Sequence, residues 1–461
     1  MHCKGIEKCV YADMYMPLLT IFYCMPPHFV YRKVYLCTYM INQATMDFAL
    51  RHRCESPVKL ALGARPAPGV DLAAALRQVA GWQAARRKLP SWAATDGIVY
   101  PPHLAMEQCS SEHTARYKAE VAARLLGDAA ANGVMYDLTG GFGADFSFLS
   151  QLFGRAVYVE RQEELAEVAR HNFAVLGIKN AEVRCSTAAE TLHSIGHATM
   201  IYLDPARRDT HGGRTFALAD CTPDVLAMMG ELRGKADLLM LKLSPMLDWH
   251  EVARQLGGIS ELHIVSVRNE CKEIVAALLS PASAGMSGDG IGENNATAVH
   301  CVNDGSEFVF IAADASQRDA RQGCAVVAEI AAGDFLYVPN ASVMKAGCFG
   351  EIASRYGMTQ VSANSHLFVS PHFTGNFPGR VFLINAISSM NRRELRKALG
   401  GISCANVAVR NFPLTAERLR RRLGLSDGGD DYLFATTDCD GRHIVLLCRK
   451  ATPPDGGAAG T

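Results

Sequence analysis

Val134-Met-Tyr-Asp137-Leu-Thr139-Gly140-Gly141-Phe142-Gly143-Ala-Asp145 decides the fold: an apolar strand, a carboxylate at its end, a glycine-rich turn, then the start of a helix. Such a turn leaves backbone amides at a helix N-terminus, where a ligand can approach without meeting a Cβ. Counting from Gly141 through Gly143, Phe146 stands where a dinucleotide fold needs its third glycine, and no Walker loop is present. The turn therefore suits a ligand that passes close to the backbone without a phosphate chain, with Asp137 placed to meet an ammonium group.

Outward from this stretch, strands are expected at 156–160, 181–185, 200–204, 238–243 and 263–267, with helical segments between them, one of which (163–176) Gly177 closes. Alternation of this kind predicts an α/β, doubly wound domain over residues 109–312, its sheet parallel and covered on both faces. Asn269-Glu270 and Lys272-Glu273, after the last of these strands, read as a helix start or as part of an acceptor pocket. Residues 283–295 read as loop, and 296–312 as two strands around Asn303-Asp304-Gly305. Residues 46–108 form a helical lead-in, with Leu72, Leu76, Val79 and Ala80 on one face. Ser110-Ser111 then caps a helix from Glu112 to Leu126 that Gly127 ends. Residues 313–384 and 385–450 read as two small α+β modules, the first with Asn340 capping a helix through Tyr356. Residues 451–461 are expected to be a disordered tail. Residues 1–45 hold six of the fourteen tyrosines and read as a non-functional extension, with Met46 the expected start.

Across 461 residues the formal net charge is zero, so no polyanionic partner is advertised by the whole molecule. Fifteen cysteines, an odd number with no Cys-x-x-Cys pair, argue against a disulfide framework and a structural zinc site. No metal is therefore expected, and a reducing cytoplasm fits. No run of eighteen apolar residues exists, so no membrane span is expected.

Glu160, seventeen residues past Gly143, ends the second strand, where a carboxylate can accept both hydroxyl hydrogens of an adenosine ribose. A solvated strand-end acid is the plain alternative, and nicotinamide enzymes share this acid. Discrimination falls to the fourth strand, where Asp204-Pro205-Ala206-Arg207-Arg208 puts a carboxylate and two arginines at the sheet's carboxyl edge.

With this motif the chain resembles class I methyltransferases, which carry Asp/Asn-Pro-Pro-aromatic in many amine methylators and Asp-Pro-Pro-Arg in several RNA base methylators; Asp204-Pro205-Ala206-Arg207 is closer to the second. More narrowly it is similar to bacterial methyltransferases with a THUMP-like C-terminal domain. The likeness covers about residues 46–450 and is carried also by Leu89-Pro-Ser-Trp-Ala-Ala94, Met106-Glu-Gln-Cys-Ser-Ser-Glu112, Lys242-Leu-Ser-Pro-Met-Leu-Asp248, Asn269-Glu-Cys-Lys-Glu273, Tyr337-Val-Pro-Asn340 and Phe377-Pro-Gly-Arg380. It implies a Rossmann-like catalytic domain followed by ferredoxin-like (313–384) and THUMP-like (385–450) modules. It also implies S-adenosylmethionine as cofactor, met by Asp137, Thr139, Gly140, Gly141, Phe142, Gly143, Asp145, Glu160, Arg161 and Thr187. Thr187 stands where the family commonly carries an adenine-side acid.

Methyl transfer from a sulfonium needs chiefly alignment. Asp204, with Pro205 and Arg207, is the candidate catalytic group, orienting an amine or ring N–H while Arg207 or Arg208 holds a phosphate; ordering of the loop alone is the plainer alternative. Lys242 and Ser244 either line the acceptor pocket or, for Lys242, snorkel. A covalent route would need Cys221 or Cys271, neither in a recognisable nucleophile sequence. Between 385 and 450, twelve Lys/Arg face seven Asp/Glu, and Arg418, Arg421 and Arg422 share one side of a short helix, a geometry that tracks phosphates. The implied function is methylation of a base nitrogen in tRNA or rRNA. The alternatives are a small-molecule or protein methyltransferase, and a non-catalytic RNA-binding protein that retains the fold.

Overall fold

The computed structural model describes residues 41–207, 218–281, 296–312, 326 and 329–451, in two compact units, one ending at Thr199 and the other beginning at Met200. Residues 1–40, the loop expected at 283–295, Arg208 and residues 452–461 lie outside the described residues. Residues 42–45, expected to precede the functional chain, belong to the first unit. Asn42 caps the helix Gln43–His52 by accepting from the Thr45 amide at 2.9 Å, and Thr45 is buried.

In the first unit the helix Leu72–Lys88 starts on Asp71, whose side chain accepts from the Ala74 amide. Val79 and Ala75 are buried against Phe48, Ala49 and Leu60, and half-buried Leu72 and Leu76 pack on the same cluster; Gln78 and Ala85 are buried as well. Gln78 is buried because its side-chain amide donates to the Tyr100 carbonyl at 2.9 Å and accepts from the Tyr100 amide at 2.8 Å. The helix Glu112–Leu126 is capped by Ser111 and ends on Gly127. Three strands, Val134–Asp137, Arg155–Glu160 and Ala181–Cys185, pair in parallel in that order, with the helices Ala144–Leu149 and Glu163–Val175 as connections. Parallel pairing puts the carboxyl ends of the strands, with Asp137 and Glu160, on one edge.

The strand Ala198–Leu203 carries the chain into the second unit. Six strands lie there in the order Ser306–Ala312, Thr297–Asn303, Glu261–Val267, Glu270–Leu279, Ala236–Leu243, Ala198–Leu203. The helix expected to start at Asn269-Glu270 is instead the strand Glu270–Leu279, antiparallel to both neighbours, so the sheet is mixed rather than wholly parallel. Arg268 and Asn269, at φ 52° and 60°, make a two-residue turn that pairs Val267 with Glu270. Asp304 and Asn303 accept from the turn's two amides at 3.0 Å. Ile274 to Leu278 is buried throughout, and a short apolar run of this kind reads equally as helix or central strand until its neighbours are known.

The helix expected from Asn340 through Tyr356 is broken by Gly347 at φ 70° into Ala341–Ala346 and Phe349–Tyr356. Beyond it a second sheet has seven strands: Thr359–Gln360, Phe368–Ser370, Phe335–Pro339, Gly379–Ser389, His443–Lys450, Asp431–Thr437 and Asn406–Val409. The boundary expected at 384/385 falls inside Gly379–Ser389. That strand pairs with Phe335–Pro339 along its first half and with His443–Lys450 along its second, so both C-terminal modules share one sheet. Among the described residues no helix is long and apolar enough to cross a membrane.

Candidate functional site

The glycine turn of the first unit is held by aromatic rings. A Cβ on Gly140 would lie 2.1 Å from the Tyr158 ring, and one on Gly143, at φ 86°, would lie 2.7 Å from Phe173. The Tyr158 hydroxyl donates to the Gly141 carbonyl, and burial pushes this phenol well above its ordinary pKa, so it remains a donor. Phe142 was expected against the cofactor, but its ring is buried 4.8 Å from Trp92 in a cluster with Ala85, Leu89 and Ile98. Only the Phe142 backbone is left to meet a ligand. Gly140→Ala is expected to destabilise the fold by about 1–3 kcal/mol through overpacking against Tyr158 and to weaken cofactor binding; urea unfolding and calorimetry check both.

Glu160, 8% exposed, takes the Gly141 amide on Oε2 at 3.0 Å and the Gln162 amide on Oε1 at 2.8 Å. Each oxygen keeps a lone pair for a further donor. Asp137, 1% exposed, accepts from the Thr139 amide at 3.0 Å. Asp145 is engaged below the turn: Lys118, fully buried, lies 3.1 Å from its Oδ1, and the Ser110 hydroxyl donates to its Oδ2 at 2.7 Å. Sequence reasoning missed Tyr158, Phe173, Ser110 and Lys118. The signal for Tyr158 was present, since it stands two residues before Glu160 on the same strand face; Lys118 is an ordinary helix lysine until its distant partner is known.

Thr187 is the N-cap of the helix Ala188–Ser194, and Glu190 accepts from its amide at 3.1 Å and its hydroxyl at 2.9 Å. These bonds hold the Glu190 carboxyl below its usual range. A carboxylate therefore does stand after the third strand, three residues beyond the expected position. Arg161 is exposed.

In the second unit Asp204 and Lys242 form an ion pair at 2.5 Å, with side chains 34% and 13% exposed. The lysine at the end of Ala236–Leu243 thus has an acidic partner at the motif. Pro205 is buried, Arg207 pairs through its backbone with Cys221, and the Ser244 hydroxyl accepts from the Met246 amide at 3.3 Å. Cys221 is buried and burial pushes the Cys271 thiol up, which disfavours either as a thiolate nucleophile. Arg418, Arg421 and Arg422 are exposed on the helix Ala416–Leu423, whose Leu419 is buried. Arg420 is paired with Asp427, whereas the other three join no ion pair among the described residues.

Residues 379–450 match the family described as THUMP domain-like, and residues 335–378 match a ferredoxin-like domain family. The crystal structure of a presumptive methyltransferase from Porphyromonas gingivalis W83 is similar with a TM-score of 0.75 and 31% identity, covering 89% of this chain and 98% of that one. An uncharacterised S-adenosylmethionine-dependent methyltransferase of Mycobacterium tuberculosis, in strains CDC 1551 and H37Rv, is 28% identical over 323 residues, 70% of this chain and 80% of the relative.

Proposed function

We propose that this chain, which belongs to the S-adenosylmethionine-dependent methyltransferases with a THUMP-like C-terminal domain, methylates a base nitrogen of tRNA or rRNA by direct in-line transfer. The residues of the first unit fit the cofactor: the turn is a cradle that a Cβ at Gly140 or Gly143 would fill, and Glu160 offers two anchored oxygens. S-adenosylmethionine supplies, when bound, a methyl group already activated by its sulfonium.

The chain's own work is binding and alignment. Glu160 accepts the ribose hydroxyls, Asp137 meets the ammonium of the methionine half, and the turn's backbone amides border both. Asp204 accepts the N–H of the acceptor base and disperses its growing positive charge. Lys242 holds Asp204 in one orientation, Pro205 stiffens the turn after it, and Arg207 and Arg208 are assigned to a phosphate beside the base.

The observation that carries the RNA reading is the exposed face of Arg418, Arg421 and Arg422, three guanidinium groups that join no ion pair among the described residues, in the module similar to THUMP domains, which bind RNA. Replacing all three by alanine is expected to lower the slope of log affinity for total tRNA against log salt by about 2–3, at about 0.7–0.9 for each phosphate that is no longer neutralised. Filter binding across a salt series measures it. An unchanged slope would favour a small-molecule or protein acceptor instead. Nucleoside mass spectrometry of RNA from cells with and without the gene names the product; no missing methylated nucleoside would overturn the proposal.

A further inference from the structure

We propose that Glu261, His263 and His300 form a binding site for one divalent transition-metal ion of the zinc class, separate from Asp204 and Lys242. Glu261 and His263, two apart on Glu261–Val267, share a face of the sheet, and His300 on Thr297–Asn303 stands directly beside His263 in the parallel register. The two imidazoles lie 4.4 Å apart at 29°. Their Nε2 atoms are 3.2 and 3.8 Å from the Glu261 carboxylate, and the three donor atoms lie within 4.8 Å of one another. His263 is fully buried and His300 is 8% exposed.

Two further observations point to a ligand. His300 Nδ1 is bonded to Glu307 at 2.7 Å, the carboxylate–histidine arrangement that fixes the tautomer and leaves Nε2 as the free lone pair. That Nε2 is buried and makes no hydrogen bond, a costly state that a metal bond removes. Two imidazole nitrogens and one carboxylate oxygen suit zinc or cobalt, whereas magnesium and calcium take oxygen donors. Cysteine spacing argued against a metal, but a Glu-x-His strand beside a lone histidine carries no such signature. Glu261 begins its strand, whereas Asp204 and Lys242 stand at the carboxyl ends of theirs, so the ion would pin sheet strands rather than join the reaction.

The test uses the untagged full chain, stripped with chelator and titrated with Co²⁺ and then Zn²⁺. One Co²⁺ per chain is expected, with visible d–d absorption, no thiolate-to-cobalt charge transfer despite the many cysteines, and displacement by Zn²⁺. His300→Gln and Glu261→Gln, checked for folding by circular dichroism, are expected to weaken binding at least about tenfold. Glu307→Gln, at a half-exposed side chain, is the variant least able to disturb the fold and is expected to weaken it by about 10–100-fold through the loss of ligand orientation. No stoichiometric binding, a thiolate band, or unchanged affinity in the folded variants would overturn the site.

Discussion

Asp204→Asn is expected to lower the single-turnover rate of methyl transfer by about two to three orders of magnitude, the scale seen when one preorganised electrostatic partner of a transition state is removed. Affinity for S-adenosylmethionine should stay nearly unchanged. The asparagine keeps the shape of the side chain but not the charge that Lys242 holds at 2.5 Å, nor the charge that a developing ammonium on the acceptor requires. Glu160→Ala should show the opposite pattern, with cofactor affinity falling and the rate recovering at saturating cofactor, because ribose contacts are made equally in the ground and transition states. Tritiated methyl incorporation into RNA from cells lacking the gene, with calorimetry on the same preparations, separates the two. A full rate in Asp204→Asn would mean that the residue only orders its loop.

Lys118→Met is expected to cost about 3–5 kcal/mol of stability, because it takes the buried cation away from the Asp145 carboxylate beneath the glycine turn. Removing both charges in Lys118→Met/Asp145→Leu should restore much of that loss, since a well-packed apolar pair avoids desolvating two ions. Urea unfolding of the wild type, both single variants and the double variant measures the cycle. A single variant as stable as the wild type would show that water reaches Asp145. Because Asp145 lies in the first turn of the helix after Gly143, the single variant should also weaken cofactor binding by loosening that turn.

Much of the site's framework was legible because it is written in short-range chemistry. The strand–glycine–helix stretch, Glu160 at the end of the next strand, the serine and asparagine caps and the Asp304-Gly305 turn each depend on a few neighbouring residues and on backbone conformations that few residue types accept. The expected face of Leu72–Lys88 does pack on the helical core through Leu72, Leu76 and Val79, but the same local signals passed over Gln78, which is buried because its amide meets the Tyr100 backbone. They misjudged Glu270–Leu279, whose apolar run fits a helix or a strand and becomes a strand only between two strands that take its hydrogen bonds.

By itself, then, the sequence determined the α/β class, the first strands and their connecting helices, the glycine turn, the methyltransferase family and its cofactor. Only the tertiary structure decided which polar groups meet: Lys118 with Asp145, Lys242 with Asp204, Tyr158 with Gly141, Glu261 with the two histidines. The reason is physical. Turns, caps and periodicity act over a few residues, whereas a buried charge finds its partner through strand register and packing between segments far apart in the chain, and no local pattern encodes that distance.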